Sequence, residues 1–90
     1  MTFKELVKSS NIKAYTIDVD VWNEELDDFE ERIGFEGDLV TLAEVVKYYH
    51  DFYNKYENHK VNCVDKVCDQ YGDFTYVNIE LQALNSTRRV

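Results

Sequence analysis

Residues 41–56, TLAEVVKYYHDFYNKY, decide how the rest of this chain is read. Leu42, Val45, Val46, Tyr49, Phe52, Tyr53 and Tyr56 recur at the i, i+3, i+4, i+7 spacing of one helical face. Thr41 and Glu44 stand three apart as a capping box, in which hydroxyl and carboxylate satisfy backbone N–H groups of the first turn. Val40 and Val45 occupy the positions of a hydrophobic staple. Lys47, Asp51, Asn54 and Lys55 line the other face, with Asp51 and Lys55 in the favourable i, i+4 order. The spacing predicts one long amphipathic helix, against which the other elements pack.

Working outward, the stretch before it is acidic. Gly37-Asp38 reads as a turn into the helix. Asn23 to Glu36 has two readings. In the favoured one Asn23 caps a helix with Leu26, Phe29 and Ile33 on one side and Gly34 as its left-handed terminator. Glu24, Glu25, Asp27 and Asp28 then sit in the first turns, where the helix dipole favours them. In the alternative, a loop leads to a short strand through Arg32-Ile33-Gly34-Phe35. Further back, Lys13 to Trp22 alternates: Tyr15, Ile17, Val19 and Val21 point one way, and Thr16, Asp18, Asp20 and Trp22 the other. That period of two marks a strand with one face buried. Thr2 and Glu5 form a second capping box for a short helix carrying Phe3, Leu6 and Val7, which Ser9-Ser10-Asn11 should end.

Beyond the long helix, which should stop near Asn58-His59, Val61 to Val67 is rich in β-branched residues. Its alternation slips at Cys63-Val64, so a bulge is expected there. Residues 70–73, Gln-Tyr-Gly-Asp, read as a hairpin turn. Phe74 to Leu84 alternates again, with Thr75, Val77, Ile79 and Leu81 on one face. Residues 85–90 read as a frayed polar tail. The expected architecture is one α+β domain over residues 1–90: a small, mainly antiparallel three-stranded sheet, the first strand completing the last hairpin, packed by one long helix. A short N-terminal helix and the acidic helix or loop accompany it.

Ninety residues allow one modest core, and thirteen aromatics within a 44% apolar composition are enough to form it. No run reaches the length of a membrane span and no signal-peptide order precedes the first helix, so a cytoplasmic location with reduced thiols at Cys63 and Cys68 is expected. The net charge is −8. Eleven of the eighteen acids, but only one of the ten basic residues, Arg32, fall between Asp18 and Glu44. Phosphate is repelled by such a segment, which argues against direct binding to nucleic acid or anionic membrane.

Asp18, Asp20, Glu24, Glu25, Asp27, Asp28, Glu30 and Glu31 are the candidate partner-binding residues, eight carboxylates in fourteen residues, with Trp22 as an aromatic anchor among them. Carboxylates at phosphate-like density can fill a groove lined by Lys and Arg, the surface that nucleic-acid enzymes offer their substrate. The plain alternative is a solvated face that keeps a small protein soluble. In style the chain resembles the small, acidic, proline-free proteins carried by phages and mobile elements, anti-CRISPR proteins among them. The likeness rests on size, the Asp18–Glu31 acid run and the lack of catalytic motifs, and it assigns no residue a role. It implies a non-enzymatic inhibitor with a basic nucleic-acid-binding partner such as a CRISPR effector.

Other chemistry is less well supplied. His50, His59, Cys63 and Cys68 could form a small zinc module, but their spacing follows no zinc motif, and a core or rim histidine with two buried thiols explains them more simply. Asp18-x-Asp20 fails the calcium-loop pattern, since Trp22 takes a ligand position and no glycine follows. Ser9, Ser10 and Ser86 have no histidine at a recognisable spacing and no glycine-rich phosphate loop exists, so neither an enzymatic role nor a cofactor is expected. Tyr48 and Phe52 begin a second aromatic stripe, which makes a homo-oligomeric structural or regulatory protein, a homodimer in its simplest form, the remaining reading.

Overall fold

The computed structural model describes residues 1–72 and 74–83. In chain order the elements are α1 (Phe3–Ser9), β1 (Lys13–Asn23), β2 (Asp28–Thr41), α2 (Leu42–Tyr48), α3 (His50–Tyr56), β3 (Val61–Cys68) and β4 (Phe74–Gln82). The strands form one sheet in the order β2-β1-β4-β3. β1 and β4 are parallel at its centre, and β2 and β3 flank them antiparallel. The fold is α+β, but the sheet is four-stranded and mixed rather than three-stranded and antiparallel.

The central pair is explained by its residues. Ile17 lies beside Val77, Val19 beside Ile79 and Val21 beside Leu81, and all six side chains are fully buried. Each such burial contributes roughly 1.5–3 kcal/mol. Phe3 and Leu6 of α1, Leu42, Val45 and Val46 of α2, and Phe52 and Tyr56 of α3 cover that apolar face. Phe3 meets Phe52 and Tyr53 edge-on, with ring centroids 6.3 and 5.6 Å apart. A parallel pair needs a long crossover, and β2, the two helices and β3 supply it.

The short helix is as the sequence reads. Thr2 N–H donates to Glu5 Oε1 (2.8 Å) and Glu5 N–H to Thr2 Oγ1 (3.2 Å). At the other end, the Ser9 and Ser10 hydroxyls bond back to the Glu5 and Leu6 carbonyls. Thr41 and Glu44 form the second capping box.

The long helix is not continuous. It breaks at Tyr49 (φ −103°, ψ 49°) into two seven-residue helices, although Tyr49 N–H still bonds Val45 O and Tyr53 N–H bonds Tyr49 O. Neither proline nor glycine stands there. Val45, Val46, Tyr48 and Tyr49 are weak helix formers, and the Tyr49 hydroxyl reaches across to donate to Gly34 O of β2 at 2.7 Å. That tie, absent from any helical pattern, marks the break. The expected Asp51–Lys55 pair is replaced as well: Lys55 Nζ lies 3.4 Å from Glu31.

The acidic segment supplies the missing strand. Asn23 does cap, but it caps a hairpin turn. Its Oδ1 accepts from the N–H groups of Glu25 (2.9 Å) and Leu26 (3.3 Å), and Asp27 takes a left-handed conformation at φ 53°. From Asp28 the chain runs antiparallel to β1, overturning the helix reading in favour of a loop and strand. Glu31, Ile33 and Phe35 lie opposite Val21, Val19 and Ile17 on the helix side of the sheet. The period of two was obscured because its inward position 31 carries a carboxylate. Gly37 to Asp38 does not end the strand either; residues 37–39 bulge opposite Tyr15, between the pairs Ala14–Val40 and Thr16–Glu36.

In β3 the bulge falls at Asn62, one residue before the expected place. Val61 faces Leu81 and Cys63 faces Glu80, while the Asn62 amide donates to Glu80 and Gln82. The β3–β4 turn is held by Tyr71 N–H on Asp69 Oδ1 (2.8 Å), with Gly72 at φ 88°, a conformation that favours glycine. Asp73, Leu84 and the expected tail 85–90 lie outside the described residues.

Candidate functional site

The structure divides the nine candidate residues among three environments. Asp18, Asp20 and Trp22 project from the face of β1 opposite the helices. Asp20 is only 4% exposed. It accepts from Arg32 Nε at 3.1 Å and from Asn78 Nδ2 at 2.9 Å. Asp18 Oδ2 accepts from the Tyr76 hydroxyl at 3.0 Å, and burial together with that bond pushes the Tyr76 phenol up from its ordinary pKa. Opposite Asp18 stands Gly34, where an added Cβ would lie 2.5 Å from Asp18 Oδ1. Trp22 packs edge-on against Phe29 at 5.2 Å, and the Arg32 guanidinium covers the other partner of that pair, 4.7 Å from the Phe29 centroid. These two aspartates are therefore tied into the sheet by side chains from β2 and β4.

Glu30 and Glu31 form the second environment. Glu30 is the extra residue of a bulge, between the pairs Val21–Glu31 and Trp22–Phe29. Both carboxylates consequently reach the buried Tyr56 hydroxyl of α3, at 2.8 and 3.0 Å. Asn23 Nδ2 also donates to Glu30 at 2.9 Å. Burial pushes the Glu30 carboxyl up. Hydrogen bonds from Asn23 and Tyr56, with Lys55 and His59 nearby, outweigh that and hold it below its ordinary value. Burial, then the two carboxylates, push the Tyr56 phenol up, which favours the protonated form that donates to both. This pair clips an outer strand to a helix.

Glu24, Glu25, Asp27 and Asp28 form the third, at the tip of the β1–β2 hairpin. All four are exposed, and among the described residues none takes part in an ion pair. Leu26 stands between them, 62% exposed. The turn holding them is anchored by Asn23 and by an Asp27 N–H to Glu24 O bond of 3.2 Å. Of the four side chains, the Asp28 carboxylate accepts a local bond among the described residues, from the N–H of Phe29. Reading the segment as a helix concealed Leu26 as a surface residue. It also concealed Arg32 as the cation over Asp20, although Arg32 was the single base in the run.

The soft ligands do not converge. His59 is buried; its Nδ1 lies 2.9 Å from Gln82 O and its ring meets Tyr56 edge-on. A carbonyl only accepts, so Nδ1 carries a proton there. His50 is on the surface, and Cys63 and Cys68, expected to be buried, are free, exposed thiols on β3, an outer strand of the sheet. The slight desolvation of Cys63 on the sheet, with Glu80 and Asp65 close by, pushes its thiol up and away from the reactive thiolate. Among the described residues no three His, Cys, Asp or Glu side chains are placed to hold a metal ion. The second aromatic stripe dissolves too: Phe52 is buried, while Tyr48, 69% exposed, leans on Phe35 and Tyr49.

No helix among the described residues is long and apolar enough to cross a membrane. Compared with known proteins, the chain matches no family model, no curated sequence and no solved structure.

Proposed function

We propose that this protein is a non-enzymatic interaction protein or inhibitor that presents its acidic hairpin tip to a basic, nucleic-acid-binding surface of a partner protein. The observation that carries the reading is the contrast between the two sets of carboxylates. Asp18, Asp20, Glu30 and Glu31 are engaged by Tyr76, Arg32, Asn78, Asn23, Tyr56 and Lys55, whereas Glu24, Glu25, Asp27 and Asp28 pair with no cation among the described residues. Four carboxylates in five residues repel one another, a cost relieved when Lys and Arg side chains approach. The turn beneath them is already ordered, so little conformational entropy is lost on docking.

The test is capture from the native host's lysate at low salt by immobilised protein, beside a Glu24→Lys, Glu25→Lys, Asp28→Lys variant. Asp27 is kept because a side chain at positive φ is best left as Asp or Asn. Capture of a nucleic-acid-binding protein by the wild type alone, weakening with salt and displaced by duplex DNA, supports the reading. Equal capture by a folded variant overturns it.

A further inference from the structure

We draw no further inference here: the strongest candidate, the β1–β2 hairpin tip where Leu26 stands exposed among Glu24, Glu25, Asp27 and Asp28, is a cluster of acidic side chains already used in the proposed function, and no second group in the structure shows what covers it.

Discussion

Gly34 offers a direct test of how the helix-free face is assembled. Replacing it with alanine places a Cβ 2.5 Å from Asp18 Oδ1, a contact no real Cβ tolerates. The obstructing atom is the end of a side chain, so the carboxylate rotates away rather than forcing the strands apart. In doing so it gives up the 3.0 Å bond from the Tyr76 hydroxyl. A hydrogen bond to a charged group contributes about 1.5–3 kcal/mol. Against that, alanine in a strand interior gains about 0.5–1 kcal/mol over glycine. The net expectation for Gly34→Ala is a loss of about 1–2 kcal/mol. In a chain of this size each kcal/mol lowers the melting temperature by about 4–8 °C. In an Asp18→Ala background the obstruction is gone and only the propensity gain remains, so the same substitution should stabilise by about 0.5–1 kcal/mol. Urea denaturation of the four proteins, followed by circular dichroism with a shared m-value, gives the coupling directly. Gly34→Ala costing the same in both backgrounds would refute the argument, because the loss would then come from the backbone and not from Asp18.

Tyr56→Phe removes the hydroxyl shared by Glu30 and Glu31 and should cost about 1.5–3 kcal/mol at neutral pH. Because the Glu30 pKa is lowered in the folded protein, its contribution is complete above the unfolded carboxyl's pKa and fades as pH falls through the lower, folded value. The variant's stability should therefore fall less steeply on acidification, which urea titrations from pH 7 to pH 3 would reveal; parallel curves would contradict the linkage. Arg32→Ala strips a buried carboxylate of its cation, but the guanidinium is 64% exposed and Asn78 remains bonded to Asp20. With solvent screening, a loss of about 1 kcal/mol in chemical denaturation is expected, and no loss would mean that Asn78 alone satisfies Asp20. Thr41→Ala deletes the cap of α2 and should cost about 1 kcal/mol in the same assay; an unchanged midpoint would show that the Glu44 half of the box suffices.

What the amino-acid sequence by itself determined is local. Thr2 with Glu5 and Thr41 with Glu44 cap helices because their partners are three residues away, and Ser9 and Ser10 end α1 through bonds to carbonyls four residues back. The apolar alternation through Ile17, Val19 and Val21, and again through Val77, Ile79 and Leu81, specified two strands with a buried face. Nothing in that alternation states which strand lies beside which. Placing β1 parallel to β4 is a tertiary choice, made because their two apolar rows fill one core beneath the helices. The acidic strand was illegible for a related reason. Glu31 is tolerated at an inward position only because Tyr56 and Lys55, about 25 residues away, meet it there. The long helix breaks at Tyr49, whose hydroxyl reaches back fifteen residues to Gly34. Charge followed the same division: composition located the carboxylates, but only the folded chain decided that Asp18, Asp20, Glu30 and Glu31 would be met by side chains of β2, β4 and α3, while the four at the hairpin tip pair with no cation among the described residues. Short-range hydrogen bonds can be read along a chain, whereas a buried charge and a strand neighbour are settled by partners that folding alone brings together.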